Sequence, residues 1–221
     1  MATAVLFNEI IKATPAHSDQ DHVRVVIDCN PQIPDRTAAI LGQGPSPVKA
    51  LIQTAQRLES MGAAVLGMPC ITAHYYHRAI QRSVGIPIVN ILLLIQRRIT
   101  AAFAAIHRIG VIATTGSRKT GLFDTYLGKT YRLIYPRARI QRDIMEAIYG
   151  EQGIKRGITG RKPRQLLIHA ASALSKQGAE IIVAGCTEVP IVLRPADLNI
   201  PLIDPLRILA KDLLERVKPI Q

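Results

Sequence analysis

Cysteine is scarce: Cys29, Cys70 and Cys186 are the three in a chain of 221 residues. So few thiols do not make a disulfide framework, and a reducing, cytoplasmic setting is the expectation. Long apolar runs are missing too. The longest, residues 86–95, contains Pro87 and Asn90 and has about half the length of a membrane span. Residues 1–7 lack a basic leader and Glu9 follows at once, so no signal peptide is expected. Acidic side chains are also few, 16 Asp and Glu against 28 Lys and Arg, for a net charge of +12. What is present is globular composition. A hydrophobic fraction of 48% with 20% charged residues excludes wholesale disorder and collagen-like repeats. At this length one or two domains are expected, each able to bury a core.

The charge is unevenly placed. Residues 97–164 hold fifteen Lys and Arg against four acidic residues, while the segments on either side are nearly balanced. Within it, Lys129, Arg132, Arg137, Arg139 and Arg142 alternate with Tyr131 and Tyr135. Basic residues interleaved with aromatics suit a nucleic-acid surface. No nucleic-acid motif accompanies them, so a solvated basic face that attracts small anions is the preferred reading.

Short β-branched runs alternate with longer helical patterns. Strands are expected at 23–27, 64–68, 86–89, 109–113, 131–134, 181–184 and 200–203. Helices are expected near 47–61, 73–83, 92–106, 139–149, 163–177 and 205–217. Apolar strands alternating with helices predict an α/β fold with parallel sheets covered on both faces. Gly62 and Gly178 fall where a helix ends in a left-handed residue.

An internal repeat is the most informative feature. Residues 47–70 align without a gap on residues 163–186, with eight identities, among them Pro47/Pro163, Leu51/Leu167, Gly62/Gly178 and Cys70/Cys186. Downstream, 85–89 and 199–203 echo each other. A period of domain size predicts a duplicated α/β lobe rather than a solenoid.

In each copy an apolar strand runs directly into the cysteine, through Gly67-Met68-Pro69 to Cys70 and through Ala184-Gly185 to Cys186. Carboxyl ends of parallel strands are where open α/β sheets place ligands. Two lobes facing each other about a pseudo-twofold would bring the two sulfurs into one cleft. One thiolate could then remove a proton and the opposite thiol return one. A helix beginning after each cysteine would favour the thiolate. Metal binding is the rival use, but without a CxxC or a paired histidine the set is poor for zinc. A single free cysteine is ordinarily a small buried hydrophobe, and that reading is kept for Cys29.

Anion-binding candidates follow. Arg36, in the proline-pinned loop 28–37, suits a bidentate carboxylate clamp; the plainer reading is a surface arginine paired with Asp35. Thr114 to Ser117 offers hydroxyls and backbone N–H groups beyond another strand. Lys155 stands in the glycine-flanked loop 151–157, either as a second anion contact or as a solvated lysine, and both uses stay open.

Three motifs together, Met68-Pro69-Cys70-Ile71-Thr72-Ala73-His74, Gly185-Cys186-Thr187-Glu188 and Asn30-Pro31-Gln32-Ile33-Pro34-Asp35-Arg36-Thr37, resemble the aspartate/glutamate racemase superfamily. They look most like its aspartate-racemase branch, and the resemblance spans essentially the whole chain. It implies two pseudo-symmetric Rossmann-like lobes with the active site between them. The first lobe would comprise residues 1–97 and 205–221, and the second residues 98–204. The resemblance also implies cofactor-independent racemisation of aspartate, or of glutamate, with Cys70 and Cys186 as the acid/base thiols. Arg36 and Lys155 would hold carboxylates, and Thr72, Thr114, Ser117 and Thr187 would hydrogen-bond the ligand. Asn30, His74 and Glu188 would support the site, Glu188 by assisting its neighbouring thiol. A homodimer is implied as well; the residue pattern itself gives no expectation of a metal or a membrane span, and the basic middle segment makes nucleic acid the less favoured partner.

Two departures from that pattern stand out. Ile71 replaces the asparagine usual after the first cysteine, and isoleucine makes no hydrogen bond to substrate. The family's opening strand and glycine-rich loop, of the form GxIGGMGP, are also not seen; residues 1–7 read as the helix that would follow them. If the chain starts at Met1, unpaired backbone in the first lobe and weakened catalysis are expected. Other activities on the same scaffold are a related isomerisation, such as maleate cis–trans isomerisation, or arylmalonate decarboxylation. A binding protein that keeps the cleft without turnover is the non-enzymatic alternative.

Overall fold

The computed structural model describes residues 1–217. Helices are α1 (Ala2–Ala13), α2 (Arg36–Ile40), α3 (Val48–Ser60), α4 (His77–Gln81), α5 (Ile91–Ala102), α6 (Thr115–Lys119), α7 (Leu122–Tyr126), α8 (Ala138–Tyr149), α9 (Arg161–Lys176), α10 (Val189–Val192) and α11 (Pro205–Val217). Strands are β1 (Arg108–Ile112), β2 (Arg132–Ile134), β3 (Ile181–Ala184) and β4 (Leu202–Ile203). The strands form one parallel sheet in the order β2-β1-β3-β4.

The sheet is apolar because both of its faces are covered. Alternation sends Ile109, Val111, Ile181 and Val183 toward a core shared with α1, α5 and α11. It sends Ile112, Ile182 and Ala184 to the opposite core, under α8 and α9. Helix α9 presents Leu167, Ala170, Ala171 and Leu174, all buried, as one stripe at helical spacing. Each such leucine or isoleucine contributes about 1.5–3 kcal/mol on burial. Asn90 starts α5 by accepting the Leu92 and Leu93 N–H groups at 3.0 and 3.3 Å. The repeat reads through into structure: α3 and α9 both end at a glycine of positive φ, Gly62 at 86° and Gly178 at 94°.

The two copies differ in their strands. The second carries β3 into Cys186. In the first, the strands expected at 64–68 and 86–89 reduce to one parallel bridge, Leu66 to Ile88. The Leu66 N–H donates to the Pro87 carbonyl and the Val89 N–H to the Leu66 carbonyl, both at 2.9 Å. Residues 23–27, also expected as a strand, belong to no ladder. The reason is the absence of a neighbour. Along a parallel strand alternate residues face opposite edges; Leu66 turns to 86–89, so Val65 and Gly67 turn the other way. There they meet a cavity of about 730 Å³ walled by residues 23–29, by 63–68, and by Leu6, Ile10 and Leu214. Among the described residues, 23–27, Val65 and Gly67 make no ladder hydrogen bonds along these two walls.

Helix α11 packs against α1 and α5. Residues 218–221, assigned above to the first lobe, lie outside the described residues. Among the described residues no helix is long and apolar enough to cross a membrane.

Candidate active site

Both repeat cysteines line one narrow cleft, together with Arg36, Thr72, Thr114, Lys155, Thr187 and Glu188. Each arrives from the end of its own extended segment, Cys70 from the bridge at Leu66 and Cys186 from β3. Just before Cys186 the chain packs tightly on β1 and α7: a Cβ on Gly185 would sit 2.7 Å from the Phe123 ring and 2.8 Å from Ala113. The cleft holds about 10 Å³ of free space, room for about one water. Its walls are tied across by hydroxyls. The Thr37 hydroxyl donates to that of Thr114 at 3.2 Å, Thr72 and Ser117 lie 2.6 Å apart, and Thr187 donates to the Pro69 carbonyl at 3.3 Å. On one side the cleft adjoins the larger cavity, which Cys70, Lys155 and Glu188 also line.

Cys186 is 7% exposed, and its thiol donates to Glu188 Oε2 at 2.9 Å. Burial and the Glu188 carboxylate both push this thiol well above its ordinary value. The expected thiolate-favouring helix does not materialise. α10 is only four residues long, its dipole is small, and the nearer carboxylate prevails. Cys186 is thus held as an acid. Glu188 in turn faces Lys155, Nζ to Oε1 at 3.3 Å. Burial alone would raise Glu188, but the Lys155 charge together with hydrogen bonds from the Cys186 thiol and Lys155 more than offsets it and holds the carboxylate below its usual range. Burial would lower Lys155, but Glu188, joined by Tyr149 and the two cysteine sulfurs, more than offsets it and keeps the ammonium charged.

Arg36 is no surface pair with Asp35. Its Nη1 donates to the Ile33 and Pro34 carbonyls at 3.3 and 3.2 Å, while Asp35 caps α2 by accepting the Ala38 N–H at 2.8 Å. Burial would lower the guanidinium, but the neighbouring Cys70 sulfur and Asp35 offset this and raise it. One cation therefore attends each cysteine, Arg36 beside Cys70 and Lys155 behind Cys186. Ile71, 1% exposed, fills the cleft floor with hydrocarbon.

Three proposed residues stand apart from the cleft itself. Ser117 lies behind its wall, bonded to Thr72 and Thr114. Asn30 lines the larger cavity, where its Oδ1 accepts the Gln32 N–H at 2.9 Å and turns the loop. His74 is buried beneath Cys70: Nδ1 lies 2.9 Å from the Cys70 carbonyl, and Nε2 accepts the Ile91 N–H at 3.2 Å. That pattern requires the neutral ring with its proton on Nδ1. Burial pushes His74 down to about 4 from its ordinary 6.5. The native state then gains from a neutral ring, a gain full above pH 6.5 and lost as pH falls toward 4. The loss amounts to about 3 kcal/mol. Comparing urea midpoints at pH 7 and pH 4.5, His74→Gln should lose this step while other acid-sensitive terms remain.

Sequence reading missed Thr37 and Tyr149, both in the cleft wall. Thr37 lay within a quoted motif without a role. Tyr149 ends α8 just before the glycine loop of Lys155, and that adjacency was the available signal.

The Asp/Glu/hydantoin racemase family matches residues 1–213. The chain belongs to this family. A broad-specificity amino-acid racemase, RacX of Bacillus subtilis, is 24% identical over 169 residues, covering 74% of this chain and 69% of that protein. The Picrophilus torridus aspartate racemase superposes with a TM-score of 0.83 at 24% identity, covering 97% of this chain and 88% of the other. The Francisella tularensis glutamate racemase, solved with D-glutamate, gives a TM-score of 0.66 at 16% identity over 98% of this chain and 76% of the other. These structures share the α/β fold with its parallel sheet.

Proposed function

We propose that this member of the racemase family is an amino-acid racemase that interconverts L- and D-aspartate, with glutamate as a second substrate, by proton exchange between two thiols. The observation that carries this reading is a cation beside each of two cysteines lining one cleft. Two carboxylates need two cations, and an α-carbon with an acidifiable hydrogen needs a base on one face and an acid on the other. In the forward direction the Cys70 thiolate takes the α-proton. Negative charge spreads onto the α-carboxylate, where Arg36, Lys155 and the threonine hydroxyls offset it. The Cys186 thiol then delivers its own proton to the opposite face, and the reverse direction exchanges the roles. Glu188 holds the Cys186 proton in place, and Lys155 keeps Glu188 from repelling the thiolate left behind. The cleft would lie between a first lobe of residues 1–97 and 205–221 and a second of residues 98–204.

Proton NMR of L-aspartate in D₂O, with reduced protein and no added cofactor, tests the reading. Loss of the α-proton signal with appearance of D-aspartate is expected. The alkaline limb of the kcat/KM profile should lie above pH 9, because Cys186 must keep its proton and is pushed above the ordinary thiol value of 9.0. No exchange with aspartate or glutamate would retire the proposal.

A further inference from the structure

Tyr149 has no part in the proton transfers just described, yet among the described residues it is the one aromatic side chain in the cleft wall. It is the last residue of α8, and its two ends meet two different charged devices. The hydroxyl donates to Asp35 Oδ2 at 3.1 Å. Asp35 is the cap of α2, and the first residue of that helix is Arg36. The ring face lies under Lys155, with Nζ 5.0 Å from its centroid, within the range of a cation–π contact. Between Tyr149 and Lys155 the backbone is tightly folded. Gly150 and Gly153 lie so close that a Cβ on Gly153 would come within 2.8 Å of the Gly150 nitrogen, and Ile154 is fully buried. The backbone of Lys155 is therefore fixed, and the tyrosine ring limits where its flexible side chain can go.

We propose that Tyr149 is a positioning residue that sets the spacing between Arg36 and Lys155, and so selects diacids by length. The inference rests on the reading of these two cations as carboxylate holders. One rigid side chain, 114 residues from Asp35 in sequence, ties the Arg36 helix cap to the Lys155 ammonium. Ring and hydroxyl move together, so the two cations are referenced to one object rather than to two independent loops. The hydroxyl stays protonated, and so remains a donor to Asp35, throughout neutral pH: burial first, with Asp35 adding to it, raises Tyr149 to about 12 even against Lys155.

Calorimetric titration with malonate, succinate, glutarate and acetate tests this on wild type, Tyr149→Phe and Tyr149→Leu. Wild type should prefer the four-carbon diacid by about tenfold over its shorter and longer neighbours, a difference of about 1.4 kcal/mol. Tyr149→Phe keeps the ring under Lys155 and loses the Asp35 bond, so the preference should shrink about threefold. Tyr149→Leu loses both contacts, and the preference should fall to within about twofold, with acetate affinity unchanged. A purely structural role would weaken all four acids alike. If Tyr149→Leu does not fold, Tyr149→Phe, which removes a single oxygen, decides by itself. A length preference that persists in the variants overturns the role of Tyr149 alone. Failure of wild type to bind any diacid overturns the carboxylate-holding reading, and the role of Tyr149 with it.

Discussion

Replacing either Cys70 or Cys186 by alanine is expected to stop racemisation in both directions, with a loss of about 10³-fold or more, since in the proposed mechanism each thiol supplies acid–base catalysis on its own face of the α-carbon. The two variants should nevertheless differ in one respect. A single remaining thiolate can still remove and return a proton on its own side, so exchange without inversion should survive for one enantiomer. Cys70→Ala and Cys186→Ala should retain it for opposite enantiomers. The survivor should be weaker in Cys70→Ala, because burial and the 2.9 Å bond to Glu188 favour the thiol over the thiolate at Cys186. Following the α-proton of L- and D-aspartate separately in D₂O reads both effects. If both variants lost exchange for the same enantiomer only, the cysteines would not face each other across the substrate.

Lys155→Met is expected to be strongly destabilising. Glu188 is 8% exposed, and Lys155 is the cation that offsets its burial. Leaving a buried carboxylate without its partner costs about 3 kcal/mol, or a fall of roughly 6–12 °C in Tm for a chain of this size. Lys155→Met with Glu188→Gln removes both charges and should recover most of that loss, as buried pairs contribute little beyond not being broken. The pH dependence has a definite sign. Glu188 is held below its ordinary 4.5, so the contribution of the pair is full above that value and is lost as pH falls through the lowered one. Thermal melts of wild type and Lys155→Met should therefore converge in acid. Equal Tm values for single and double variants at pH 7 would show that Glu188 is not buried as a charge.

Much of this is written in the residue pattern. β3 at Ile181–Ala184 and α11 at Pro205–Val217 fall where their periodicity puts them, because an apolar run with β-branched residues and a proline-started amphipathic stretch each have one low-energy conformation. The paired cysteines were legible because duplication repeats a strand end, and strand ends determine where a side chain emerges. The strands expected at 23–27 and 64–68 have the same local signature as β1, yet they form no ladder. A strand exists only with a neighbour to bond, and local sequence carries no record of whether one is present.

The site divides along the same line. Sequence by itself determined the α/β class, the covered parallel sheet and the internal repeat, and it singled out Cys70, Cys186, Arg36 and Lys155, which the folded chain gathers along one cleft. These follow from period, turn chemistry and motif, all of which are local. Tertiary structure alone decided that Cys186 is a guarded acid rather than a ready thiolate, since Glu188 and burial outweigh a four-residue helix. It alone decided that Lys155 answers to Glu188 and lies over Tyr149, and that His74 is a neutral post under Cys70. Charge balance and desolvation depend on what surrounds a group in space, and residues 114 positions apart become neighbours only when the chain has folded.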